Sequence, residues 1–343
     1  DTLMFGNIFT TTLENDVSPT RYLKIYNDNN EDMNIESIFL TNGSNSPYRL
    51  NIDGEPGHMI QNTLLRAGDS LYIFANVIDE PNKKTNEFLI EDSISFIHRG
   101  QEQFVNLFAY GQNACYYSGI PDYQQDPNQG YNPIDCGTGQ LDSVLFCDAE
   151  EWFDCDNPDF PEEYKDKYFK YFSISETTNW GADKPHVIIG DVVIEKGAHL
   201  TISPGSNIHL HNGSFILVTS GSSLKAEGQK GNPIQIQSHR SDDHSIIDYN
   251  VTPGQWGRIW MMPGSINNSI NWTIIKNGKT GIHIDGVNNM ELLTDSPLLT
   301  IKNSIIYNMS DMGVFAQGSS IYGENLLIFN CGTHLLNLNI GGK

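Results

Sequence analysis

Short alternating runs of apolar and polar residues fill the first 111 positions of the chain. Runs such as Tyr22–Tyr26, Ile35–Leu40, Tyr48–Ile52 and Ser70–Val77 are separated by turns rich in Asn, Asp and Gly. A period of two places successive side chains on opposite faces, so each run predicts a half-buried β-strand. About seven such strands in succession favour an immunoglobulin-like β-sandwich over residues 1–111.

A different pattern begins at residue 181. Short β-branched strands alternate with Gly-centred turns, and the apolar positions Leu200, Ile208, Phe215 and Leu224 recur every seven to nine residues. Three such intervals make one coil of roughly 20–25 residues, which is the period of a solenoid. Residues 181–343 are therefore predicted to form a parallel β-helix, in which stacked coils bury a core that no single coil could bury.

Three coils of this predicted helix share a further signature. Each has two apolar residues, a spacer and then an asparagine, namely Asn277, Asn308 or Asn330. Asparagines stacked at one corner can hydrogen-bond from coil to coil and to the turn backbone, so a structural ladder is predicted rather than a ligand site. The run before Lys343 is strand-like and has no polar cap, so the helix is expected to be incomplete here and to continue.

The segment 112–180 interrupts both patterns. It is acidic, rich in Tyr, Pro and Gly, and contains four of the five cysteines. In an exported protein, clustered cysteines without zinc-ligand spacing favour two disulfides, with three pairings open. The fifth, Cys331, lies in an apolar run and is expected to be a buried free thiol. The clustered cysteines are Cys115, Cys136, Cys147 and Cys155.

The same segment holds the main candidate binding residues. Calcium prefers oxygen ligands, so its aspartates predict either a structural calcium site or a solvated acidic loop, and no other cofactor is expected. Its aromatic residues suit sugar stacking or a protein interface. The candidate calcium ligands are Asp135, Asp142, Asp148, Asp154, Asp156 and Asp159, and the candidate binding aromatics are Tyr116, Tyr117, Trp152 and Phe153.

Charge disfavours several classes of function. The chain has 42 acidic and 20 basic residues and a formal net charge of −22. Such a chain repels nucleic acid and anionic lipid head groups. No apolar run reaches the roughly 18 residues that a membrane-spanning helix needs. The first residue is Asp1 rather than Met, which indicates processing during export.

Catalytic candidates in the predicted helix are sparse. A glycosidase needs two carboxyl groups about 5–9.5 Å apart. Asp285 and Asp311 fall at different phases of their coils, and Arg258 is near a predicted turn, so all three are interpreted as solvated turn residues. His209 and His211 share one side of a strand and could bind a metal. No further ligand completes that site, so exposed strand histidines are predicted.

From about residue 180, the sequence resembles the right-handed parallel β-helix proteins that Bacteroidota secrete to their surface. The resemblance rests on Asp191–Gly205, Leu224–Gly228, Pro253–Gly257 and the Ile-Ile-x-Asn units, while residues 46–54 and 68–74 resemble the sandwich that precedes such helices. It implies a lipoprotein on the extracellular face of the outer membrane, held by an N-terminal lipid. In this group of bacteria, a hydroxyl residue after aspartate can accept an O-glycan, and the matching positions are Thr2, Ser70, Ser93 and Ser143.

Together these features favour a non-enzymatic cell-surface scaffold or binding protein. Its expected partners are components of an outer-membrane complex for barrel assembly, secretion or nutrient uptake. Two alternatives stay open, namely a carbohydrate-active β-helix of the lyase or hydrolase type and a surface glycan-binding module. The enzymatic alternative rests on fold analogy, because parallel β-helices often carry such activities.

Overall fold

A computed structural model of the chain describes residues 1–9, 20–78, 87–118, 140–145, 168–240, 247–286 and 296–339. The chain divides into two compact units, Asp1–Ala114 and Cys115–Lys343. The first unit is a β-sandwich and the second is a parallel β-helix, so the predicted fold class is confirmed. Within the described part of the chain, no helix is long and apolar enough to cross a membrane.

Two antiparallel-rich sheets make up the first unit. One sheet has five strands in the order β1-β9-β8-β3-β6, and the other has four in the order β2-β7-β4-β5. Only β1 and β9 pair in parallel. The strands are β1 (Thr2–Phe9), β2 (Arg21–Tyr26), β3 (Met33–Leu40), β4 (Tyr48–Ile52), β5 (Glu55–Gly57), β6 (Met59–Leu65), β7 (Ser70–Val77), β8 (Glu87–His98) and β9 (Gln101–Gln112), with a 3-10 turn at Gly43–Asn45.

Two large sheets wind through the second unit. Its strands are β10 (Cys115–Ser118), β11 (Gln140–Leu145), β12 (Tyr168–Ile174), β13 (Thr178–Trp180), β14 (His186–Ile189), β15 (Asp191–Ile194), β16 (His199–Ile202), β17 (Asn207–Leu210), β18 (Ile216–Val218), β19 (Ser223–Glu227), β20 (Ile234–Ser238), β21 (Ile259–Met261), β22 (Asn268–Asn271), β23 (Thr273–Lys276), β24 (Ile282–Asp285), β25 (Leu299–Met309), β26 (Met312–Gln317), β27 (Ile321–Cys331) and β28 (His334–Asn339).

The coils present three faces. An eight-stranded sheet, β11-β12-β15-β18-β21-β24-β26-β28, forms the first face, and an eleven-stranded sheet forms the other two. The long strands β25 and β27 pass through the corner between those two faces. All pairings are parallel except that of β11 with β12. The helix starts before residue 181, because β10 pairs in parallel with β14, and β12 and β13 pair with β15 and β16.

Each unit has its own hydrophobic core. In the sandwich, the inward residues of alternating strands, such as Ile38, Ile73 and Leu107, are fully buried. In the helix, equivalent residues stack between coils, as Leu200 does with Leu224. The predicted apolar position Phe215 is wrong by one residue, because Ile216 enters the core and Phe215 packs in a second cluster on the outer face.

Asparagines form two ladders at the corners of the later coils. Asn308 donates to Asn277 Oδ1 at 2.8 Å, and Asn330 donates to Asn308 Oδ1 at 2.7 Å. All three have positive φ, between 52° and 68°, which asparagine tolerates better than most residues. The interpretation as a structural ladder thus agrees with the observed hydrogen bonds. A second ladder, Asn271–Asn303–Asn325, lies at the neighbouring corner and is joined by bonds of 3.0 and 2.8 Å.

Candidate functional sites

One cluster of functional side chains lies on the outer face of the eight-stranded sheet. Trp260 of β21, His283 of β24 and Phe315 of β26 stand at paired positions of consecutive coils. The ring of His283 stacks on Trp260 with centroids 5.1 Å apart and contacts Phe315 at 4.7 Å. Alternation along these short strands explains the placement, since their neighbours Ile259 and Ile282 point into the core.

Hydrogen bonds connect this cluster to two charged residues. Arg258 Nη1 donates to His283 Nδ1 at 3.0 Å, so Nε2 of His283 carries the hydrogen and donates to Asp285 Oδ1 at 2.9 Å. Trp260 Nε1 donates to Asp285 Oδ2 at 2.7 Å. Burial lowers the pKa of the Arg258 guanidinium, whereas Asp311 and Asp285 act in the opposite direction. The four hydrogen-bonded residues, Arg258, Trp260, His283 and Asp285, are called the coil network.

The coil network contradicts the interpretation of Arg258 and Asp285 as solvated turn residues. Both carboxylate oxygens of Asp285 accept hydrogen bonds, and His283 is only 7% exposed. The sequence does contain a pattern that could have predicted this network. Arg-x-Trp at residues 258–260 is followed 25 residues later, close to one coil length, by His-x-Asp, and each named residue of the first motif bonds to its equivalent in the second. Asp285 thus holds the Trp260 and His283 side chains of two consecutive coils in place, with one hydrogen bond at each carboxylate oxygen.

The strand histidines are less exposed than predicted. His209 is 8% exposed, and its Nδ1 donates to the Ser238 carbonyl at 3.2 Å. Burial lowers its pKa to about 4, so the ring is neutral at pH 7. The rings of His211 and His239 are 5.5 Å apart and lie on consecutive coils. Among the described residues, no group of three His, Cys, Asp or Glu side chains could hold a metal ion.

Tyr117 is not part of a binding surface, so that prediction is wrong. It is 3% exposed, and its ring packs 4.5 Å from Trp180 inside the first coils. Its hydroxyl and His186 Nδ1 are 2.8 Å apart. The reason is the register of β10, which turns Tyr117 into the helix core while leaving Tyr116 half-buried. Cys115, at the start of β10, is disulfide-bonded, and Cys331 is a free, half-exposed thiol rather than a buried one.

Most predicted sites of the segment 112–180 lie outside the described residues, so the second disulfide and the calcium site stay predictions. Three acceptor positions for O-glycans are described. Thr2 is exposed, Ser70 is partly exposed at the start of β7, and the hydroxyl of Ser93 is 2.7 Å from that of Thr41. The structure does not describe the side chains of Asp142 and Ser143. The other predicted residues outside the described ranges are Cys136, Cys147, Cys155, Asp135, Asp148, Asp154, Asp156, Asp159, Trp152 and Phe153.

The sandwich carries a second candidate site, on the outer face of its four-stranded sheet. Tyr22 and Tyr26 of β2 and Tyr72 and Phe74 of β7 point away from the core and surround Lys24. Lys24 Nζ lies 4.8 Å from the centre of the Tyr26 ring and 4.6 Å from that of Tyr72. These five side chains are the aromatic platform. It arises because the alternate residues of the same strands, Leu71, Ile73 and Ala75, fill the sandwich core.

A cleft with both polar and apolar lining residues borders the aromatic platform. Its volume is about 560 Å³, within the usual range of small-molecule sites. Arg49 is positioned there by bonds from Nη1 to the carbonyls of Ser46 and Tyr48, at 2.6 and 3.0 Å. The cleft is lined by Thr20, Arg49, Leu50, Asn51, Pro56, Phe74 and Asn76. Sequence analysis missed this site, because each of its residues belongs to an ordinary alternating strand.

The chain shares a distant structural likeness with a solved protein structure. The sequence matches no protein-family profile and no curated protein sequence. Among solved structures, the catalytic unit of a thermostable GH87 alpha-1,3-glucanase from Streptomyces thermodiastaticus matches with a TM-score of 0.32 and 10% sequence identity. The match covers 92% of this chain and 52% of the glucanase chain, so this chain spans about half the length of that protein.

Proposed function

We propose that this chain is a non-enzymatic binding protein of the bacterial cell surface. The observation that carries the proposal is the aromatic platform, which exposes rings that the sandwich core does not need. Tyr72 is 41% and Phe74 is 42% exposed, in contact with solvent on an ordered sheet. Large exposed aromatic side chains on a rigid scaffold are typical of recognition surfaces.

The proposed location is the extracellular face of the outer membrane of a member of the Bacteroidota. It is supported by the acidic, disulfide-containing chain and by the sequence resemblance to surface β-helix proteins. An N-terminal lipid would anchor the chain, and outer-membrane complex components would be its partners. Protease treatment of intact cells tests the location, since a surface protein is degraded while a periplasmic control protein stays intact.

The proposed partnership is tested by gentle detergent extraction from native membranes, followed by pull-down and mass spectrometry. Stoichiometric recovery of an outer-membrane barrel protein is the expected result. A Phe74→Ala, Tyr72→Ala double variant shows whether that partner uses the aromatic platform. Recovery of the chain alone would count against a role as a complex subunit.

The enzymatic alternative has a direct test at the coil network. If Asp285 served as an acid or base, the chain would release reducing ends or unsaturated products from some polysaccharide, and Asp285→Asn would abolish that release. We expect no product from either protein. Release by the wild type that the variant lacks would overturn the non-enzymatic proposal.

Calcium is proposed only as a structural ion of the segment 112–180, held by its aspartates. The midpoint of thermal unfolding should then fall after chelation and recover on addition of calcium but not of sodium. An unchanged midpoint would leave the acidic residues as a solvated loop.

A further inference from the structure

We infer that the aromatic platform and the cleft beside it form a carbohydrate-binding site for an extended glycan. The inference rests on the proposed binding function and names the ligand class for one surface of the first unit. Three features point to it: ring geometry, a fixed central residue and a cleft lined by amide and guanidinium groups.

Two rings of the platform lie nearly parallel to each other. Tyr72 and Phe74 have centroids 6.1 Å apart and planes inclined by 12°. Tyr22 lies 6.0 and 6.1 Å from them and is tilted by 46° and 49°, which forms one wall. The face of an aromatic ring is electron-rich, and the C–H groups on one side of a pyranose carry partial positive charge, so the two surfaces are complementary. Two neighbouring rings can accept successive sugar units.

Lys24 restrains the platform before any ligand arrives. Its ammonium group contacts the rings of both Tyr26 and Tyr72, and hydrogen bonding to Tyr72 raises the pKa of Lys24. A cation held between two rings reduces their rotational freedom, so less entropy is lost on binding. The same residue places a positive charge at the site, although the chain as a whole has a net charge of −22.

The cleft supplies groups that match sugar hydroxyls. Asn51 is oriented by the bond from the Gly54 N–H to its Oδ1 at 2.9 Å, which leaves its amide hydrogens for a ligand. Arg49 uses Nη1 for two carbonyls and has further N–H donors on its guanidinium. Asn76 lines the same cleft, but its Oδ1 atom is buried, so any contact of its side chain with a ligand would come from the amide nitrogen.

A carbohydrate fits this surface better than a protein does. The outward positions of β2, β4 and β7 are aromatic or polar, with no aliphatic side chain among them. The centre of a protein–protein interface is usually depleted of charged residues and rich in apolar contacts. Exposed aliphatic residues do occur on the other sheet of the sandwich, at Met4, Met59, Leu64 and Leu89. The two faces of one domain therefore differ in character.

Binding of the purified full chain to defined glycans tests the inference. The probes are neutral β-glucans, α-glucans, xylans and mannans and the acidic polysaccharides pectin and alginate, first on an array and then by calorimetry. We expect binding to at least one class, with affinity reduced about tenfold or more by Phe74→Ala and by Tyr72→Ala, as expected for loss of a ring contact. Asn76→Ala should lower the affinity less. Circular dichroism confirms that each variant is folded.

Phe104→Ala is the matched control. Phe104 is 60% exposed on the five-stranded sheet, so the substitution removes an even more accessible ring away from the platform. Glycan binding that survives both platform substitutions, or that Phe104→Ala weakens equally, overturns the inference. No glycan binding together with loss of a pulled-down protein partner in the platform variants also overturns it, but leaves the binding function intact. Absence of both glycan and partner would overturn the two proposals together.

Discussion

Single ionisable residues inside the coils determine how this protein responds to pH. Burial raises the pKa of the Asp191 carboxyl to about 7 from an ordinary value of 3.8. The backbone N–H of Phe215 donates to Asp191 Oδ1 at 2.9 Å and opposes that rise. A carboxyl whose pKa is raised by folding stabilises the protein below the unfolded pKa. That contribution is lost as the pH rises through the folded value.

We therefore predict that Asp191→Asn stabilises the second unit above pH 7 and leaves its stability unchanged below pH 3.8. Asparagine keeps the oxygen that accepts from Phe215 and cannot ionise. Because Asp191 is only partly buried, the gain above pH 7 should be about 2 kcal/mol, less than the roughly 4 kcal/mol of the full shift. Urea unfolding of both proteins at the two pH values checks this. Equal stability of the two proteins above pH 7 would contradict it.

His209 has the opposite effect on the pH dependence of stability. Its pKa falls on folding from 6.5 to about 4, so the unfolded chain binds a proton that the folded chain does not. Stability should decline as the pH falls from 6.5 towards 4, with about 3 kcal/mol lost through this residue. His209→Gln keeps a donor for the Ser238 carbonyl and should show a shallower decline. His199→Gln, at a half-exposed position, is the control and should decline like the wild type.

Several of these residue-level properties could not be predicted from the sequence. Alternation correctly places Leu200 and Leu224 in the core, because each strand has one buried face. It fails for His209, which lies on the outer face of β17 between the core residues Ile208 and Leu210 and is nevertheless buried. Whether a side chain outside the core meets solvent or a neighbouring coil depends on residues about 25 positions away, which local pattern does not report.

At the scale of the element, the asparagine ladder is the clearest contribution of side chains to coil stacking. Asn308 donates to Asn277 Oδ1 and to the Val251 carbonyl, and it accepts from Asn330. It is 5% exposed and has a φ of 58°. We predict that Asn308→Ala lowers the free energy of unfolding of the second unit by about 2–4 kcal/mol, from the lost hydrogen bonds and the unfavourable backbone conformation.

Two control variants separate these causes. Asn308→Gly loses the same hydrogen bonds but tolerates positive φ, so it should be about 1 kcal/mol more stable than the alanine variant. Asn325→Ala, at the exposed end of the second ladder, has the same backbone cost because its φ is 54°, so it should cost less than Asn308→Ala only by the buried hydrogen bonds, about 1–2 kcal/mol. If Asn308→Ala cost no more than Asn325→Ala, the inner ladder would have no special role.

The strands themselves are well predicted, because each repeats the alternation of apolar and polar residues. The isoleucines of the Ile-Ile-x-Asn units fall in β23 and β25 and pair in register, as Ile274 does with Ile305. The repeat pattern does not predict the corner at Trp272. In later coils the equivalent corner residue is an asparagine, Asn303 or Asn325, whereas here it is a tryptophan with a similar positive φ, of 46°. A repeat whose key residue changes type is invisible to a consensus, although the backbone geometry is kept.

At the scale of the whole molecule, the two units have separate cores. The sandwich core and the helix core share no residue, and the buried histidines His186 and His209 belong to the second unit. A chain with two independent cores is expected to unfold in two steps. We therefore predict two thermal transitions in scanning calorimetry, with acidification from pH 6.5 towards pH 4 lowering the midpoint of the helix transition.

Matched core substitutions assign the two transitions. Ile38 in the sandwich and Ile236 in the helix are both 0% exposed, so replacing either with alanine should cost its own unit about 2–5 kcal/mol. Ile38→Ala should lower one midpoint and Ile236→Ala the other, and the acid-sensitive transition should be the one that Ile236→Ala affects. A single transition that both variants lower together would mean that the units fold as one cooperative body. In that case, protonation of the helix would also lower the stability of the sandwich, so acid would reduce glycan binding at the aromatic platform as well.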